Sequence, residues 1–166
     1  MKTILTTLIA ICTLLLISGY SKNDSKNANA GFKPMMDVYA YAFNSGNVDT
    51  LNSICNSTFT RFNGLTRVDR GLDSVKIFIK GLKTAFPDFT FSIDQEVFAD
   101  EHATLLWTLT GTNTGPGRFP PTGKSFKVSG LSLFTFKDGK LESERFERDA
   151  LYLMQQLGFT LTPPGK

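Results

Sequence analysis

An aspartate at the end of the last predicted strand is the first candidate for chemistry. Asp149 follows a strand end that contains Glu142, Glu144, Arg145 and Glu147, and it precedes an apolar helix. Aspartate is a favoured helix N-cap, because its carboxylate accepts hydrogen bonds from free amides of the first turn. The alternative is a general base at the mouth of an apolar cavity, where desolvation raises its pKa. The spacing alone favours the cap.

Other catalytic arrangements find little support in the sequence. The only histidine, His102, lies beside Asp100 and Glu101 at a predicted turn, where adjacent side chains point apart. These three residues therefore do not predict a metal site, and a Ser-His-Asp triad would need a histidine elsewhere. Gly123-Lys124-Ser125 is similar to the end of a phosphate-binding loop, but prolines precede it and a strand follows. We predict no metal ion and no cofactor.

The composition is that of a globular protein with many aromatic side chains. The 166 residues include 15 Phe and a single Trp, and 41% of them are hydrophobic. So many Phe in a small domain predict either a large core or a pocket with apolar walls. Trp107 fits either place, and the core is favoured. The net charge of +3 is weak and the basic residues are scattered, which argues against nucleic-acid binding.

The first 30 residues differ in character from the rest of the chain. Lys2 gives a positive start, and Ile4–Ile17 is an apolar run too short to span a bilayer comfortably. This pattern is typical of a secretion signal, and the polar segment Ser18–Ala30 is predicted to be a linker. We predict signal and linker over 1–30 and one exported domain over 31–166, periplasmic or extracellular. Only an uncleaved signal would hold it at a membrane.

The signal also carries a partial lipoprotein pattern. Ile17-Ser18-Gly19 is similar to the start of a bacterial lipoprotein cleavage box, which ends in a cysteine that receives the lipid. Tyr20 occupies the cysteine position and has no thiol, so lipid anchoring is not expected. Cleavage after Gly19 or Ala30 would leave Cys55 as the one cysteine, which excludes an internal disulfide.

Helical periodicity dominates the first half of the domain. Apolar residues recur at helical spacing at Phe32, Met35, Met36, Tyr39 and Phe43. Pro34 suits the first turn of this helix, and the Asn44–Asn47 segment ends it. A shorter helix that runs from Val48 to Cys55 follows. After a loop, a third helix is predicted to end before Pro87, because proline lacks the amide that continues a helix.

The period then changes from that of a helix to that of a strand. Phe91 lies in the first of four predicted strands, and Asp138-Gly139 is a hairpin signal between the last two. Those two strands cover Ser125–Lys137 and about Lys140–Arg148, and a final helix follows them. Helices followed by hairpin-connected strands predict an α+β domain, with the helices packed on an antiparallel sheet.

Both faces of the Ser125–Lys137 strand are apolar. One face carries Phe126, Val128, Phe134 and Phe136, and the other carries Leu131 and Leu133. A strand buried on one side alternates cleanly, so this strand is predicted to be covered on both faces. The outer cover is either a second copy of the chain, which would make a homodimer, or the chain's own last helix.

A series of short motifs gives the sequence a family likeness. They are Phe86-Pro87-Asp88-Phe89, Gly111-Thr112-Asn113-Thr114-Gly115, Pro120-Pro121-Thr122-Gly123-Lys124, Val128-Ser129-Gly130, Asp138-Gly139-Lys140, Asp149-Ala150-Leu151 and Gln155-Gln156-Leu157-Gly158. Over roughly residues 32–159 the chain resembles the SnoaL-like polyketide cyclases, or ester cyclases. The resemblance implies a cone in which helices pack on a strongly curved antiparallel sheet with a pocket at its mouth. Ketosteroid isomerase and scytalone dehydratase share this cone.

The resemblance also implies an activity. Studied members close a polyketide ring by intramolecular aldol condensation without a cofactor, and a pocket aspartate is their general acid/base. Asp149 matches that position, and Arg145 on the same strand face would either hold an enolate or a ligand carboxylate or pair with a neighbouring acid. Well-studied members also place a histidine on a pocket strand, where this chain has Ser132 and Phe134. The residues expected to contact the ligand are Arg145, Trp107, Ser132, Phe134 and Phe91.

Two functions follow, and the sequence leaves both open. One is a cyclase or isomerase of a small carbonyl compound that uses Asp149 for proton transfer. The other is a periplasmic or surface domain that binds a small apolar molecule without turnover, which the missing histidine and the secretion signal favour. A scaffold whose cavity is filled by its own Phe side chains is a third hypothesis. Fold alone does not decide among them.

Overall fold

This computed structural model describes residues 25–162, which form four α-helices and six strands. The burial of side chains is described from residue 31 onward. The predicted secretion signal lies outside the described residues. The helices are α1 (Ser25–Ser45), α2 (Leu51–Ile54), α3 (Leu72–Ala85) and α4 (Ala150–Gln156), with a 3₁₀ turn at Val48–Thr50. The strands are β1 (Cys55–Asn63), β2 (Thr66–Arg70), β3 (Thr90–Ala99), β4 (His102–Thr112), β5 (Ser125–Lys137) and β6 (Lys140–Arg148). None of the described helices is long and apolar enough to cross a membrane.

Helix α1 packs one apolar stripe against the sheet, as its periodicity predicts. Its buried residues are Met36, Tyr39, Ala42 and Phe43. The helix ends where predicted, because Gly46 takes a positive φ of 74° and its amide donates to the Ala42 carbonyl at 3.0 Å. This left-handed residue after the last turn is the usual helix stop, and glycine adopts it without steric cost.

The start of α1 differs from the prediction. The helix begins at Ser25, inside the segment predicted as a polar linker, so Pro34 lies within it and not in its first turn. A proline inside a helix removes one backbone hydrogen bond. The remaining bonds of this 21-residue helix, together with its packing on the sheet, hold it together across that gap.

Helix α3 follows its predicted pattern. It buries Leu72, Val75 and Ile79 and ends at Ala85, two residues before Pro87. The short helix predicted from Val48 to Cys55 is instead a 3₁₀ turn followed by α2, and Cys55 already belongs to β1.

The sheet is open and mixed, with the strand order β2-β1-β6-β5-β4-β3. Strands β3 to β6 form the predicted series of hairpins, and each neighbouring pair is antiparallel. Strand β1, however, runs parallel to β6, so the prediction of a wholly antiparallel sheet is wrong for this pair. No hairpin joins β1 to β6, and long intervening segments allow parallel pairing.

Strands β1 and β2 are absent from the sequence prediction, which placed a loop before α3. Strand β1 buries Cys55, Phe59 and Arg61. A buried arginine occupies a position where the alternation of a strand calls for an apolar residue, so the pattern is hidden. Arg61, which hides the strand pattern in the sequence, is therefore also one of the charged residues of the core.

Four register shifts interrupt the ladders and bend the sheet. Three lie in antiparallel pairs, between Arg61 and Phe62, between Ile93 and Gln95, and between Thr135 and Phe136. The fourth lies between Cys55 and Thr60, where β1 runs parallel to β6. An extra residue on one strand of a pair increases the local twist and bends the strand. The sheet therefore wraps around α1 and α3 without closing into a barrel, which agrees with the predicted cone.

Strand β5 has one buried face and one exposed face. Its inner residues are buried as predicted, but Leu131 and Leu133 are 50% and 43% exposed. The last helix does not cover them, because Leu153 and Met154 of α4 line a cavity on the inner side. Of the two predicted covers for the outer face, only the second copy of the chain remains a prediction.

We expect the purified protein to form a dimer through the outer face of β5. Replacing Leu131 and Leu133 together by Ser should give a monomer, because these are the large apolar side chains that β5 exposes on that face. Light scattering after size-exclusion chromatography measures the mass. Ile77→Ser, on an exposed position of α3, is the control and should leave the dimer intact. A monomeric wild-type protein at micromolar concentration would contradict the prediction.

Candidate functional site

An apolar cavity of about 820 Å³ lies between the inner face of the sheet, helices α1 and α3, and helix α4. The loop from 113 to 119 forms part of its rim. The aromatic residues of its walls include Phe43, Phe78, Phe89, Phe91, Phe126 and Phe146. This volume falls within the range of small-molecule sites. The high Phe content of the sequence therefore serves both the core and the walls of a cavity.

A buried carboxylate lies in the cavity wall. Glu144 is 2% exposed, and its two oxygens accept three hydrogen bonds from side chains. The Tyr39 hydroxyl donates to Oε2 at 2.7 Å and the Arg61 Nε donates to Oε2 at 2.6 Å. The Ser132 hydroxyl donates to Oε1 at 2.7 Å. A buried charge is stable only when it is paired and hydrogen-bonded in this way.

Arg61 is the positive partner of Glu144 and is itself enclosed. Its Nη1 also donates to Asp69 Oδ2 at 3.1 Å. The guanidinium carbon lies 4.7 Å from the centre of the Phe78 ring and 4.8 Å from that of Phe146. Burial acts to lower the pKa of Arg61, but the surrounding acidic groups outweigh it and raise that pKa. The guanidinium therefore keeps its charge inside the core.

The Tyr39 phenol is a permanent donor in this cluster. Burial first, and then the negative charge of Glu144, raise the pKa of Tyr39 well above its ordinary value. The hydroxyl thus stays protonated at every physiological pH and continues to donate to Glu144. Tyr39 lies on α1, so this bond joins the first helix to the last strand.

Trp107 extends the cluster along the cavity wall. Its indole Nε1 donates to the Ser132 hydroxyl at 2.8 Å, and Ser132 in turn donates to Glu144. The indole lies against Gly130 on the neighbouring strand, where a Cβ would come within 2.1 Å of a ring carbon. Only glycine permits this close approach. The indole is thereby held in contact with both the cavity and the cluster.

The ligand-binding residues predicted from the sequence divide into two groups. Phe91 and Trp107 line the cavity. Ser132 and Phe134 are fully buried in the wall behind it, where Ser132 bonds Glu144 and the Phe134 ring lies 5.2 Å from that of Tyr39. These four residues come together around one cavity.

Arg145 and Asp149 lie elsewhere. Arg145 is exposed on the outer face, where it lies over the Phe62 ring at 4.7 Å and donates to the Gly64 carbonyl. Asp149 is exposed and accepts a hydrogen bond from the Tyr152 amide at 2.8 Å, as the N-cap of α4. Its carboxylate is not part of the cavity lining. The cap predicted from spacing is confirmed, whereas Arg145, which was predicted to contact the ligand, lies outside the lining of this cavity.

A bulge in β6 explains which residues face inward. Phe136 pairs with Leu141 but Thr135 pairs with Ser143, so β6 carries one extra residue at position 142. Counting in twos from the buried Leu141 would point Arg145 inward, whereas the bulge turns the even-numbered residues inward instead. The residues that line the cavity are therefore Glu144, Phe146 and Arg148.

Sequence reasoning missed the charged residues of the cavity. It treated Glu144 as one of several strand-end acids, it placed Tyr39 only on the apolar face of the first helix, and it gave no role to Arg61 or Arg148. The alternation in Glu144-x-Phe146-x-Arg148 was a usable signal, because a Phe between two charged residues at spacing two marks one face. The parallel pairing of β1 with β6 places Arg61 beside Glu144, and no pattern in the sequence indicates that pairing.

His102 lies at the start of β4, away from the cavity. It is exposed, and its Nδ1 lies 3.4 Å from the Thr135 hydroxyl oxygen. Within residues 25–162, no group of three or more His, Cys, Asp or Glu side chains is placed to hold a metal ion.

Helices packed on a curved open sheet, with an apolar cavity on its inner side, define the α+β cone class of proteins. A protein of Catenulispora acidiphila DSM 44928, described by its ketosteroid isomerase-like fold and solved with trimethylamine, matches with a TM-score of 0.65. It is 15% identical, and the match covers 77% of this chain and 96% of that one. At this identity the match establishes the fold alone.

The chain belongs to the SnoaL-like polyketide cyclase family, whose sequence model matches residues 33–157. The structure is similar to TsrD of Streptomyces laurentii, with 25% identity, a TM-score of 0.71 and coverage of 78% of this chain and 96% of TsrD. It is also similar to AclR of Streptomyces galilaeus, with 19% identity, a TM-score of 0.69 and coverage of 81% and 89%. No curated protein matches the chain. The resemblance found in the sequence motifs is confirmed.

We expect Tyr39→Phe to destabilise the fold by about 1–3 kcal/mol, because Glu144 loses a donor in a buried site. Urea unfolding followed by circular dichroism measures the change. Tyr41→Phe, on the same helix but 52% exposed, is the matched control and should change the stability by less than about 0.5 kcal/mol. Equal effects of the two substitutions would contradict a stabilising role for the Tyr39–Glu144 bond.

Proposed function

We propose that the protein is a cofactor-free cyclase or isomerase of a small carbonyl compound and that Glu144 is its general acid/base. Family membership supports a cyclase or isomerase type of domain. The observation that carries the residue assignment is a buried carboxylate in the wall of a cavity lined mainly by apolar side chains. Carboxylates are common general bases, and apolar surroundings strengthen their interaction with a reacting group.

The chemistry begins with removal of a proton next to a carbonyl group. A carboxylate offers about four lone-pair positions, and three of those on Glu144 are occupied by Tyr39, Arg61 and Ser132. The fourth can accept the proton from carbon. The resulting enolate attacks a second carbonyl carbon of the same molecule, and Glu144 returns the proton to the alkoxide oxygen. Isomerisation needs only return of the proton to another carbon.

Asp149 has a different role in this proposal. The family resemblance implies a catalytic aspartate at this position, but the Asp149 carboxylate is exposed and caps α4. Helix α4 contributes Leu153 and Met154 to the cavity wall. We therefore assign Asp149 an indirect role, in which the cap positions the helix that encloses the ligand.

Binding without turnover is the second candidate function. Glu144 accepts hydrogen bonds from Tyr39, Arg61 and Ser132, and such a set of protein donors is also the pattern of a carboxylate that anchors a fold. In that case the cavity would hold a small apolar molecule unchanged. The two candidates differ in whether a proton exchanges with solvent at a carbon atom of the ligand.

Solvent exchange tests proton transfer without knowledge of the natural substrate. Incubation of 2-tetralone with the protein in D₂O should speed deuterium incorporation beside the carbonyl, followed by proton NMR. Glu144→Gln should reduce the protein-dependent rate by about 10²–10⁴-fold, the usual contribution of a general base. Asp149→Asn should leave the rate nearly unchanged, because asparagine caps a helix as well as aspartate does.

Two results would redirect the assignment. Loss of exchange in Asp149→Asn, with Glu144→Gln active, would return the acid/base role to Asp149. Binding of the ketone with no exchange above the buffer rate would favour the binding domain. Circular dichroism checks that each variant folds, and Glu144→Asp, which keeps the charge beside Arg61, replaces Glu144→Gln if that variant does not fold.

We further propose that the protein acts after export. The positive start and apolar run of the first residues support this proposal. When the full chain is expressed in a bacterial host, we expect an exported form whose mass corresponds to a first residue of Tyr20 or Gly31. Leu15→Arg interrupts the apolar run and should leave the uncleaved chain in the cells. An uncleaved wild-type chain in the cytoplasmic fraction would contradict export.

A further inference from the structure

Arg148 is a charged cavity residue that the proposed proton transfer does not use. It is the third inward residue after the bulge in β6, and it lines the cavity beside Glu144 and Phe146. Its Nε is buried and has no hydrogen-bond partner in the structure. No carboxylate within residues 31–162 lies at ion-pair distance from its guanidinium. Arg148 thus combines a place in the cavity lining with a buried donor that no acceptor within residues 31–162 satisfies.

Arg61, in the lining of the same cavity, is an arginine whose guanidinium is paired with carboxylates. Its guanidinium bonds both Glu144 and Asp69. Arg148 has instead a contact with one aromatic ring, that of Phe146, whose centre lies 5.5 Å from its guanidinium carbon. A buried donor without an acceptor costs free energy, more so when it is charged. An acceptor supplied by a ligand would remove that cost.

The charges around Arg148 favour an anionic acceptor. Burial and the nearby positive charge of Arg61 lower the pKa of Arg148, although a guanidinium stays charged at neutral pH. The charged residues of the cavity lining are Arg61, Arg118, Arg148 and Glu144, and Asp69 pairs with Arg61, so these five groups together carry a formal charge of +1. Glu144 is already paired with Arg61, so it adds little repulsion toward a second anion beside Arg148.

We propose that Arg148 binds a carboxylate group of the ligand, whose apolar body lies among the Phe side chains of the cavity. The ligand class is therefore an apolar carbonyl compound that also carries one carboxylate. Arginine suits this group, because its planar fork matches the two oxygens of a carboxylate. The proposal rests on the proposed function insofar as the same cavity is the binding site, but it does not require turnover.

This arrangement also orients the ligand. Arg148 lies two residues along β6 from Phe146 and four from Glu144. When the carboxylate of the ligand is bound at Arg148, its apolar body extends along the strand toward Glu144, the proposed base. Strand residues rise about 3.3 Å each, so four residues separate the two groups by about 13 Å along the backbone. Anion and reacting carbon are thereby kept at opposite ends of one small molecule.

A pair of matched probes tests the assignment. They are 4-phenylbutanoate and its neutral counterpart 4-phenylbutanamide. Trp107 is the single tryptophan of the chain and lines the cavity, so its fluorescence reports binding of either probe. We expect the full chain to bind the carboxylate at least about tenfold more tightly than the amide, the usual gain from a charge-assisted bond.

Substitutions locate the source of that preference. Arg148→Met should abolish the preference and leave the affinity for the amide nearly unchanged. Arg118→Met is the matched control, because it removes the same charge from an exposed position of the cavity lining and should keep most of the preference. If Arg148→Met does not fold, Arg148→Lys, which retains the charge but lacks the fork, should show a reduced preference.

The outcomes separate this inference from the proposed function. Equal affinities for the two probes, or a preference that survives Arg148→Met, would overturn the assignment of Arg148 and leave proton transfer at Glu144 untouched. A preference lost equally in Arg118→Met would also overturn it, since the effect would then be one of general charge. Binding of neither probe at millimolar concentration would count against the cavity as a ligand site, and so against both proposals.

Discussion

The structure depends on one buried ion pair, Arg61 with Glu144. The two residues are direct register partners on the parallel strands β1 and β6. Removing one partner of such a pair typically costs about 3–5 kcal/mol, because the other charge stays buried without compensation. An apolar pair of the same size could stabilise the domain equally well. The ion pair joins the residues that lie opposite each other where β1 and β6 pair in parallel, in a sheet whose other strand pairs are antiparallel.

The polar cluster connects elements that are far apart in the sequence. Tyr39 brings α1 to Glu144, and Ser132 brings β5 and, through Trp107, β4 to the same carboxylate. Each of these bonds pairs a buried donor with a buried acceptor from another element of the fold. The residues that stabilise the interior of the cone are thus the same residues that give its cavity a polar end.

The sequence predicts the parts of this fold in which local pattern and tertiary position agree. The limits of β5 and β6, the Asp138-Gly139 turn and the cap at Asp149 all follow from short-range rules. Strand β1 does not, because a buried arginine replaces the expected apolar residue. The inward face of β6 does not either, because a bulge at one residue reverses the alternation. Both failures concern residues of the cavity, where tertiary contacts override local preference.

Gly130 carries a consequence for how such a protein changes during evolution. A methyl group at this position would collide with the Trp107 ring and displace the indole from its place beside Ser132. The smallest side chain, placed on a backbone atom outside the cavity lining, would thus alter the shape of the cavity wall and the hydrogen bonds of its polar end together. The shape of the cavity can therefore diverge through a residue that has no chemistry of its own.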